Sequence, residues 1–389
     1  EDGVYRLTAA DLRWMGFNDP SRVKLYGYGG HVQDEVIDAD TDFDDLEEVP
    51  LYRDERGLLF FGKGLISWSA TDRRGRATHR VNTFAKQACY FLTEGDSPRT
   101  IEKAAVSGSP QKNLDYTPAN VLYKKEEYAW YQSGRNFYES ANYASSNSRT
   151  YQLPVVDPVA SAGGSLKVSF TAHTTKDEGD SYVTPTVDGV KLSAMRISWS
   201  GEYDAAKEGT QTYTLNTLHE GTTGTQVTLV STAGVDARLG YLELCYRRQL
   251  KMRDAFLYIR HTETAPSNLV IDANGRSGLK LWCLGRRGNP MTEYQGTWSG
   301  STYTVPVSDP TLEYVAVDVN ADFPSPSYMG EVSNQNLHAT SATDMVIIIP
   351  ASGKLYAQAE RLAEAHRSVD GLRVQIVCPF LPWFPKARW

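Results

Sequence analysis

Apolar and polar residues alternate along most of the chain with the two-residue period of half-buried β-strands. The runs are short, and turn-forming pairs such as Gly163-Gly164 and Asp188-Gly189 separate them. Between residues 134 and 250 they follow one another without any helical period, at Leu166 to Ala172, Tyr182 to Val187, Met195 to Ser200, Thr210 to Leu215, Val227 to Ser231 and Leu239 to Arg247. Regularly spaced short strands predict an antiparallel sandwich, and they favour a jelly-roll-like one.

Strand-like runs also lie on both sides of this segment. Near the start, Thr8 and Asp11 can form a capping box for a short helix, which Gly16 ends. The further strand candidates are Val4 to Leu7, Val23 to Tyr26, Leu58 to Phe61, Ala88 to Leu92, Ala255 to Arg260, Leu279 to Leu284, Tyr303 to Val307 and Tyr314 to Val319. We expect the later strands to complete the first β-rich unit around an inserted sandwich.

The pattern changes after Pro324 and Pro326. Met345 to Ile349 is an unbroken apolar run, typical of a strand that is buried on both faces. A helical period follows over Lys354 to Val369, with one face formed by Leu355, Ala359, Leu362, Ala363 and His366. Leu372 to Val377 then predicts a second strand, which completes one βαβ unit. Because a parallel sheet needs more strands than two, this α/β piece is expected to be truncated.

The fold class predicted is therefore mainly β: a β-rich unit with an inserted jelly-roll-like antiparallel sandwich, followed by a truncated α/β piece. The predicted segments are a β-rich unit at 1–133, the sandwich at 134–250, further strands completing the first unit at 251–340, the βαβ unit at 341–377 and an atypical tail at 378–389. Three prolines and four aromatic residues in that tail are unusual after a βαβ strand.

Composition and charge exclude several classes of protein. With 389 residues, 41% hydrophobic and 22% charged, the chain is neither disordered nor a coiled coil. The formal net charge is -7, but nine acids and no base lie between Asp34 and Glu48, so 40 bases face 38 acids elsewhere. This balance predicts no nucleic-acid partner. No apolar run approaches the roughly 20 residues of a transmembrane span, and the missing initiator Met suggests a processed product.

Residue types that carry chemistry are scattered. Cys89, Cys245 and Cys283 lie in apolar strand-like runs, which predicts buried, inert thiols and no disulfide framework. No two of the seven histidines have a ligand spacing, so no local zinc or catalytic site is predicted; they are His31, His79, His173, His219, His261, His338 and His366. We interpret Gly27 to Gly30 as a strand-ending turn, and His31 as a surface ion-pair partner of Asp34 and Glu35. No catalytic, cofactor-binding or metal-binding residue is therefore assigned.

Two binding hypotheses remain open. The run from Asp38 to Asp44 resembles the alternating oxygens of a calcium loop, but Phe43 and Val49 stand where an EF-hand needs Gly and Glu. Non-EF calcium binding is thus the alternative to a solvated acidic loop. Aromatic residues in the sandwich segment could form a glycan platform or fill the core, namely Trp199, Tyr203, Tyr213 and Tyr241. An exposed row of them would favour glycan binding.

Several stretches, taken together, resemble the non-catalytic N-terminal region of gingipain-like cysteine peptidases, in particular the type IX secretion sortase. The matching stretches are Gly3 to Thr8, Asp11-Leu12, Met15 to Phe17, Val23 to Gly30, Asp44 to Glu47, Leu59 to Gly64 with Trp68, Asn82 to Thr93, Glu127 to Tyr138 with Trp130 and Ser133 to Arg135, and Asp344 to Val377. Thr83 to Ala85 departs from the family's usual form. The last stretch resembles the first βαβ of the family's caspase-like peptidase domain.

In such peptidases, a His followed by Gly and a Cys lie at the ends of later strands of the caspase-like sheet. This chain has no His-Gly pair, and Cys378 directly follows the second strand. The resemblance therefore implies a peptidase relative whose active half is absent here, so the chain alone is not expected to hydrolyse peptides. It also implies export to the periplasm, outer-membrane surface or exterior of a Gram-negative bacterium.

The role implied is a scaffold for the missing peptidase domain or a recognition module for protein substrates. The main alternative is a glycan-binding or adhesive surface module. A second rival is an enzyme that uses Cys378, whose thiol-dependent peptide cleavage would be lost in Cys378→Ala.

Overall fold

The computed structural model describes residues 1–32, 36, 46–69, 72, 75–131, 136–285, 290–332, 341–350 and 352–378, without the side chains of 222–223. Most of the acidic run and the tail after Cys378 lie outside these residues. The protein is mainly β, as the sequence predicts, with two α-helices and one short 3-10 helix among its described elements. It forms two compact units, one of residues 1–6 and 21–324, the other of residues 7–20 and the described residues from 325 onward.

The elements follow one another in this order. They are β1 (Gly3–Leu7), α1 (Ala9–Trp14), a 3-10 helix (Pro20–Arg22), β2 (Val23–Tyr26), β3 (Glu48–Val49), β4 (Tyr52–Asp54), β5 (Gly57–Gly62), β6 (Ile66–Trp68), β7 (His79–Val81), β8 (Phe91–Glu94), β9 (Glu102–Lys103), β10 (Lys112–Leu114), β11 (Tyr116–Lys124), β12 (Ser148–Val155), β13 (Gly164–His173), β14 (Ser181–Val187), β15 (Val190–Lys191), β16 (Met195–Ile197), β17 (Lys207–Leu215), β18 (Gly221–Ser231), β19 (Asp236–Gln249), β20 (Phe256–Ile259), β21 (Ser267–Asp272), β22 (Leu279–Cys283), β23 (Thr292–Tyr294), β24 (Thr297–Ser299), β25 (Thr302–Val307), β26 (Tyr314–Asp318), β27 (Met345–Ile348), α2 (Tyr356–Val369) and β28 (Val374–Val377).

The sandwich of the first unit consists of β11 to β19. One sheet has the order β11-β19-β13-β17, and the other has the order β12-β18-β14 with β15 and β16 on β14. Successive long strands alternate between the sheets, an arrangement that jelly rolls share. Every second residue of β14 is buried, because the period of two directs alternate side chains into the core that both sheets enclose. Strand β11, which precedes the predicted boundary at residue 133, pairs with β19 along its whole length.

Strands from before and after the sandwich combine in two of the remaining sheets of this unit. Two parallel pairings join them: β10 with β21, and β9 with β23. The sheet orders are β1-β5-β4, β3-β2-β8, β10-β21-β25-β24 and β20-β26-β22-β23-β9, with β6 and β7 as a separate hairpin. Trp282 and Tyr314 are the largest fully buried side chains of this part. The segment boundaries given above, at residues 133, 250, 340 and 377, stay a prediction.

The second unit contains both α-helices. Helix α1 begins with the predicted capping box: the Thr8 hydroxyl accepts from the Asp11 amide, and the Asp11 carboxylate accepts from the Thr8 amide. Strands β27 and β28 pair in parallel on either side of α2 in the chain, as the βαβ prediction requires.

The expectation that the first of these strands is buried on both faces is wrong. Val346 is 54% exposed and Ile348 is 70% exposed, while Met345 and Ile347 are partly covered. Helix α2 buries Ala359 and Ala363 but leaves Leu362 exposed. One helix can cover a single face of a two-stranded sheet, so the other face keeps its apolar residues in solvent.

Candidate interaction site

Two of the three cysteines that the sequence predicts to be buried, Cys245 and Cys283, are buried, while Cys89 is only partly buried. The four cysteines are free thiols. Burial raises the pKa of the Cys245 thiol, which keeps it protonated and unreactive. The Cys378 thiol donates to the carbonyl oxygen of Pro350 at 3.4 Å. Within the described residues, no three His, Cys, Asp or Glu side chains converge to hold a metal ion.

The histidines are less isolated than their sequence spacing suggests. His79 lies against Glu243, a residue 164 positions later, and the side chain of Glu243 is 2% exposed. The His79 amide donates to Glu243 Oε2 at 3.0 Å, and Nδ1 of the ring lies 2.7 Å from the same oxygen. His31 Nε2 lies 3.8 Å from Asp2 Oδ1. Its predicted partners, Asp34 and Glu35, are outside the described residues, as is the calcium hypothesis at Asp38 to Asp44.

The four aromatic residues considered for glycan binding do not form one row on a sheet face. Tyr213 is buried in the sandwich core. Tyr241 is partly buried, with its ring centroid 4.6 Å from that of His79. Trp199 and Tyr203 are exposed, but both lie in the connection between β16 and β17. The two exposed rings considered for glycan binding therefore lie in a loop, and the four residues form no platform on a strand.

A cleft of ≈260 Å³ lies between the β6–β7 hairpin and the outer face of the sandwich, and we call it the hairpin cleft. Its lining comes from both parts, and includes Val32, His79, Arg80, Val81, Thr83, Phe84, Lys124, Glu126, Asn136, Phe137, Tyr138, Ser169, Glu208, Gly240 and Tyr241. The His79 to Glu243 contact holds the hairpin on β19. Pairing of β13 with β19 shifts register beside the cleft, because Ser169 pairs with Tyr241 and Phe170 with Leu239, which leaves Gly240 as a bulge.

Glu208 is the best oriented carboxylate of the hairpin cleft. The hydroxyl of Ser169 donates to Glu208 Oε1 at 2.7 Å. The hydroxyl of Tyr138 donates to Oε2 at 3.1 Å. Burial, and then the negative charge of Glu208, raise the pKa of Tyr138 to about 12, so this hydroxyl remains a donor at neutral pH. Both carboxylate oxygens are thus fixed by the protein.

No local sequence pattern marks the cleft as a whole. His79, Glu208 and Glu243 lie on three strands that are distant in sequence. Pairing through β13 links β17 to β19, and the contact of His79 with Glu243 brings β7 to β19. One local signal was available: Gly240 interrupts the apolar β19 run, and a glycine inside a strand often marks a bulge.

No helix in the described part of the chain has the length and apolar character that crossing a bilayer requires.

Comparisons with known proteins match the fold but not the sequence. No protein-family model matches the chain, and no curated protein matches it in sequence. Among solved structures, dimeric latent PorU from Porphyromonas gingivalis superposes with a TM-score of 0.83 at 24% identity, covering 97% of this chain. The chain spans 36% of the length of that PorU chain. The Eiger TNF structure from S. frugiperda is also found, but its TM-score of 0.19 carries no argument. The chain therefore has the fold of a PorU-like region.

Proposed function

We propose that this chain is the non-catalytic N-terminal region of an exported gingipain-like cysteine peptidase of the type IX sortase kind. It supports the peptidase domain or recognises protein substrates. The observation that carries the proposal is the match to PorU, which extends over 97% of this chain but 36% of the PorU chain. The sequence motifs found independently at both ends of the chain point to the same group of peptidases.

The exposed face of β27 supports the scaffolding role. Val346 and Ile348 lie on a parallel strand whose apolar face has no cover among the described residues. Parallel sheets are stable when helices cover both faces and several strands pair side by side. Further α/β units of a longer protein would bury this face, and they would carry the catalytic His and Cys of the family.

The first test is to read the gene beyond the codon for Cys378. The expected result is an open frame that encodes more α/β units, with a strand-terminal His-Gly and a later Cys. A frame that ends without them overturns the proposed function. The purified chain should also leave a peptide library uncleaved in the presence of a thiol. Cleavage that disappears in Cys378→Ala would show instead that the chain is itself an enzyme.

A second test uses two matched substitutions of exposed valines. Val346 lies on β27, and Val190, on the β15 edge of the sandwich, is 61% exposed. In this chain, both Val346→Lys and Val190→Lys should change the free energy of unfolding by less than about 0.5 kcal/mol. In the longer protein, Val346→Lys should lower the melting temperature and the peptidase activity, because it places a charge in a buried sheet. Equal behaviour of the two variants in the longer protein would contradict the scaffolding role.

A further inference from the structure

We propose that the hairpin cleft binds the cationic group of an arginine or lysine side chain of a protein partner. The inference rests on the proposed role in substrate recognition, and it names the kind of side chain that is recognised. The volume of ≈260 Å³ is slightly below the range of about 300–1,000 Å³ that whole drug-sized ligands occupy. It therefore suits a single long side chain better than a separate small molecule.

Glu208 supplies the recognising charge. An ionised carboxylate has about four acceptor positions, and Ser169 and Tyr138 use two of them. No lysine, arginine or histidine of the described residues pairs with Glu208. Its oxygens are fixed in direction, and the part of the chain that the structure describes supplies no counter-ion. A guanidinium group can donate to such a carboxylate through two parallel hydrogen bonds.

The other acids at the cleft already have cationic or imidazole partners. Glu126 forms an ion pair with Lys124. Glu243, below the cleft, is in contact with His79. Arg80 on β7 also lines the cleft and has interactions of its own.

Aromatic rings provide the walls for the stem of the bound side chain. Phe84 is exposed at the rim, Phe137 is partly so, and the ring of Tyr241 lies deeper. Methylene groups of lysine and arginine pack on apolar surface while their charged ends reach a polar partner. A cation that lies over such rings gains further attraction from their electron-rich faces.

The experiment measures binding of two tripeptides to the purified chain by calorimetric titration. One is N-acetyl-Gly-Arg-Gly amide, and the other has citrulline in place of arginine, which keeps the shape and removes the charge. We expect the arginine peptide to bind at least 10-fold more tightly. In Glu208→Gln this difference should disappear.

Glu202→Gln is the matched control, because Glu202 is an exposed acid of the sandwich that does not line the cleft. It should keep the 10-fold preference, and the melting temperature of Glu208→Gln should confirm that this variant is folded. Equal binding of both peptides, or tighter binding of a neutral hexasaccharide, would overturn the inference. Such a failure would leave the gene-reading test of the proposed function unaffected, so the two can be judged separately.

Discussion

At the scale of single residues, two polar contacts occupy positions inside the first unit where β-proteins usually place apolar side chains. Arg6 is 5% exposed and donates to Asp54 Oδ1 at 2.7 Å and to the Val319 carbonyl at 3.2 Å. His79 and Glu243 form the second contact, below the hairpin cleft. Such pairs add little to stability as a whole, but removing one partner leaves the other buried without compensation.

Replacing His79 by alanine should therefore destabilise the protein strongly. The Glu243 carboxylate would lose its contact with the imidazole ring while it remains buried, and it would keep the hydrogen bond from the backbone amide of residue 79. Loss of the buried partner corresponds to about 3 kcal/mol in the free energy of unfolding. Urea denaturation measures this change. His173→Ala is the control, since His173 is exposed and its ring nitrogen contacts the Ala205 carbonyl oxygen, and it should cost less than about 0.5 kcal/mol. Equal losses in both variants would contradict the role of the buried contact.

The contact of Asp54 with Arg6 predicts a dependence on pH. Burial alone would raise the pKa of Asp54, but hydrogen bonds from Arg6 and the Arg56 amide outweigh it and hold the pKa below its usual range. The folded state thus binds the proton less readily than the unfolded state. This contribution to stability is present above the unfolded pKa of about 3.9 and is lost as the pH falls through the lower folded value.

Asp54→Asn removes this contribution. The free energy of unfolding of the variant should lie below that of the unchanged chain at pH 7, and the gap should narrow as the pH falls below about 4. Thermal unfolding at a series of pH values measures the gap. A gap that stays constant from pH 7 to pH 2 would show that Asp54 titrates normally.

At the scale of elements, the bulge in β19 links strand geometry to the cleft. A Cβ atom on Gly240 would lie 2.5 Å from Ser169 Oγ and 3.2 Å from the Ser169 carbonyl oxygen. Only glycine therefore allows β13 to approach β19 at this position. Ser169 in turn orients Glu208, so the bulge positions a side chain on the neighbouring strand β17.

Gly240→Ala should cost about 1–3 kcal/mol in the free energy of unfolding, because the added methyl group overpacks the bulge. It should also displace the Ser169 hydroxyl from Glu208. Gly3→Ala is the control, since its nearest neighbour would be 3.7 Å away, an ordinary contact. The measurement is urea denaturation of both variants. An unchanged free energy of unfolding in Gly240→Ala would mean that β13 and β19 can move apart at the bulge without loss of stability.

Local signals explain which elements the sequence could predict. Thr8 and Asp11 are three residues apart, so one short segment of the sequence contains the whole capping box of α1. The sequence predicts the strand at Val23 to Tyr26 with its observed bounds, since Gly27 ends it. The contact of His79 with Glu243 joins residues 164 positions apart, and no local pattern encodes it. The exposure of Ile348 was missed because an apolar run does not reveal whether a second covering layer is present.

At the scale of the whole first unit, the sandwich and the surrounding strands share a polar interface. Arg253, which follows the sandwich, donates to both carboxylate oxygens of Asp157 at 2.7 to 3.0 Å. The thiol of Cys245 donates to the Ala77 carbonyl oxygen at 3.6 Å. These contacts, with that of His79, couple the stability of the sandwich to that of the other sheets.

We therefore expect the first unit to unfold in a single calorimetric transition. A chain with both His79→Ala and Arg253→Ala should show two transitions, because the buried partners on the sandwich side would no longer be held. Arg196→Ala is the control, since Arg196 pairs with Asp180 on the sandwich itself. Two transitions in the unchanged chain would contradict the coupling.

The two parallel pairings that join residues before and after the sandwich also determine when the sheets can form during synthesis. During synthesis, β10 emerges before β11 to β19, and its partner β21 emerges after them. At roughly 5–20 residues per second, the intervening chain of about 150 residues takes on the order of ten seconds to make. The sandwich can complete its sheets in that interval, while β9 and β10 still lack their parallel partners β23 and β21. The edges of β9 and β10 are therefore open to pairing with a wrong strand until β21 and β23 have been synthesised.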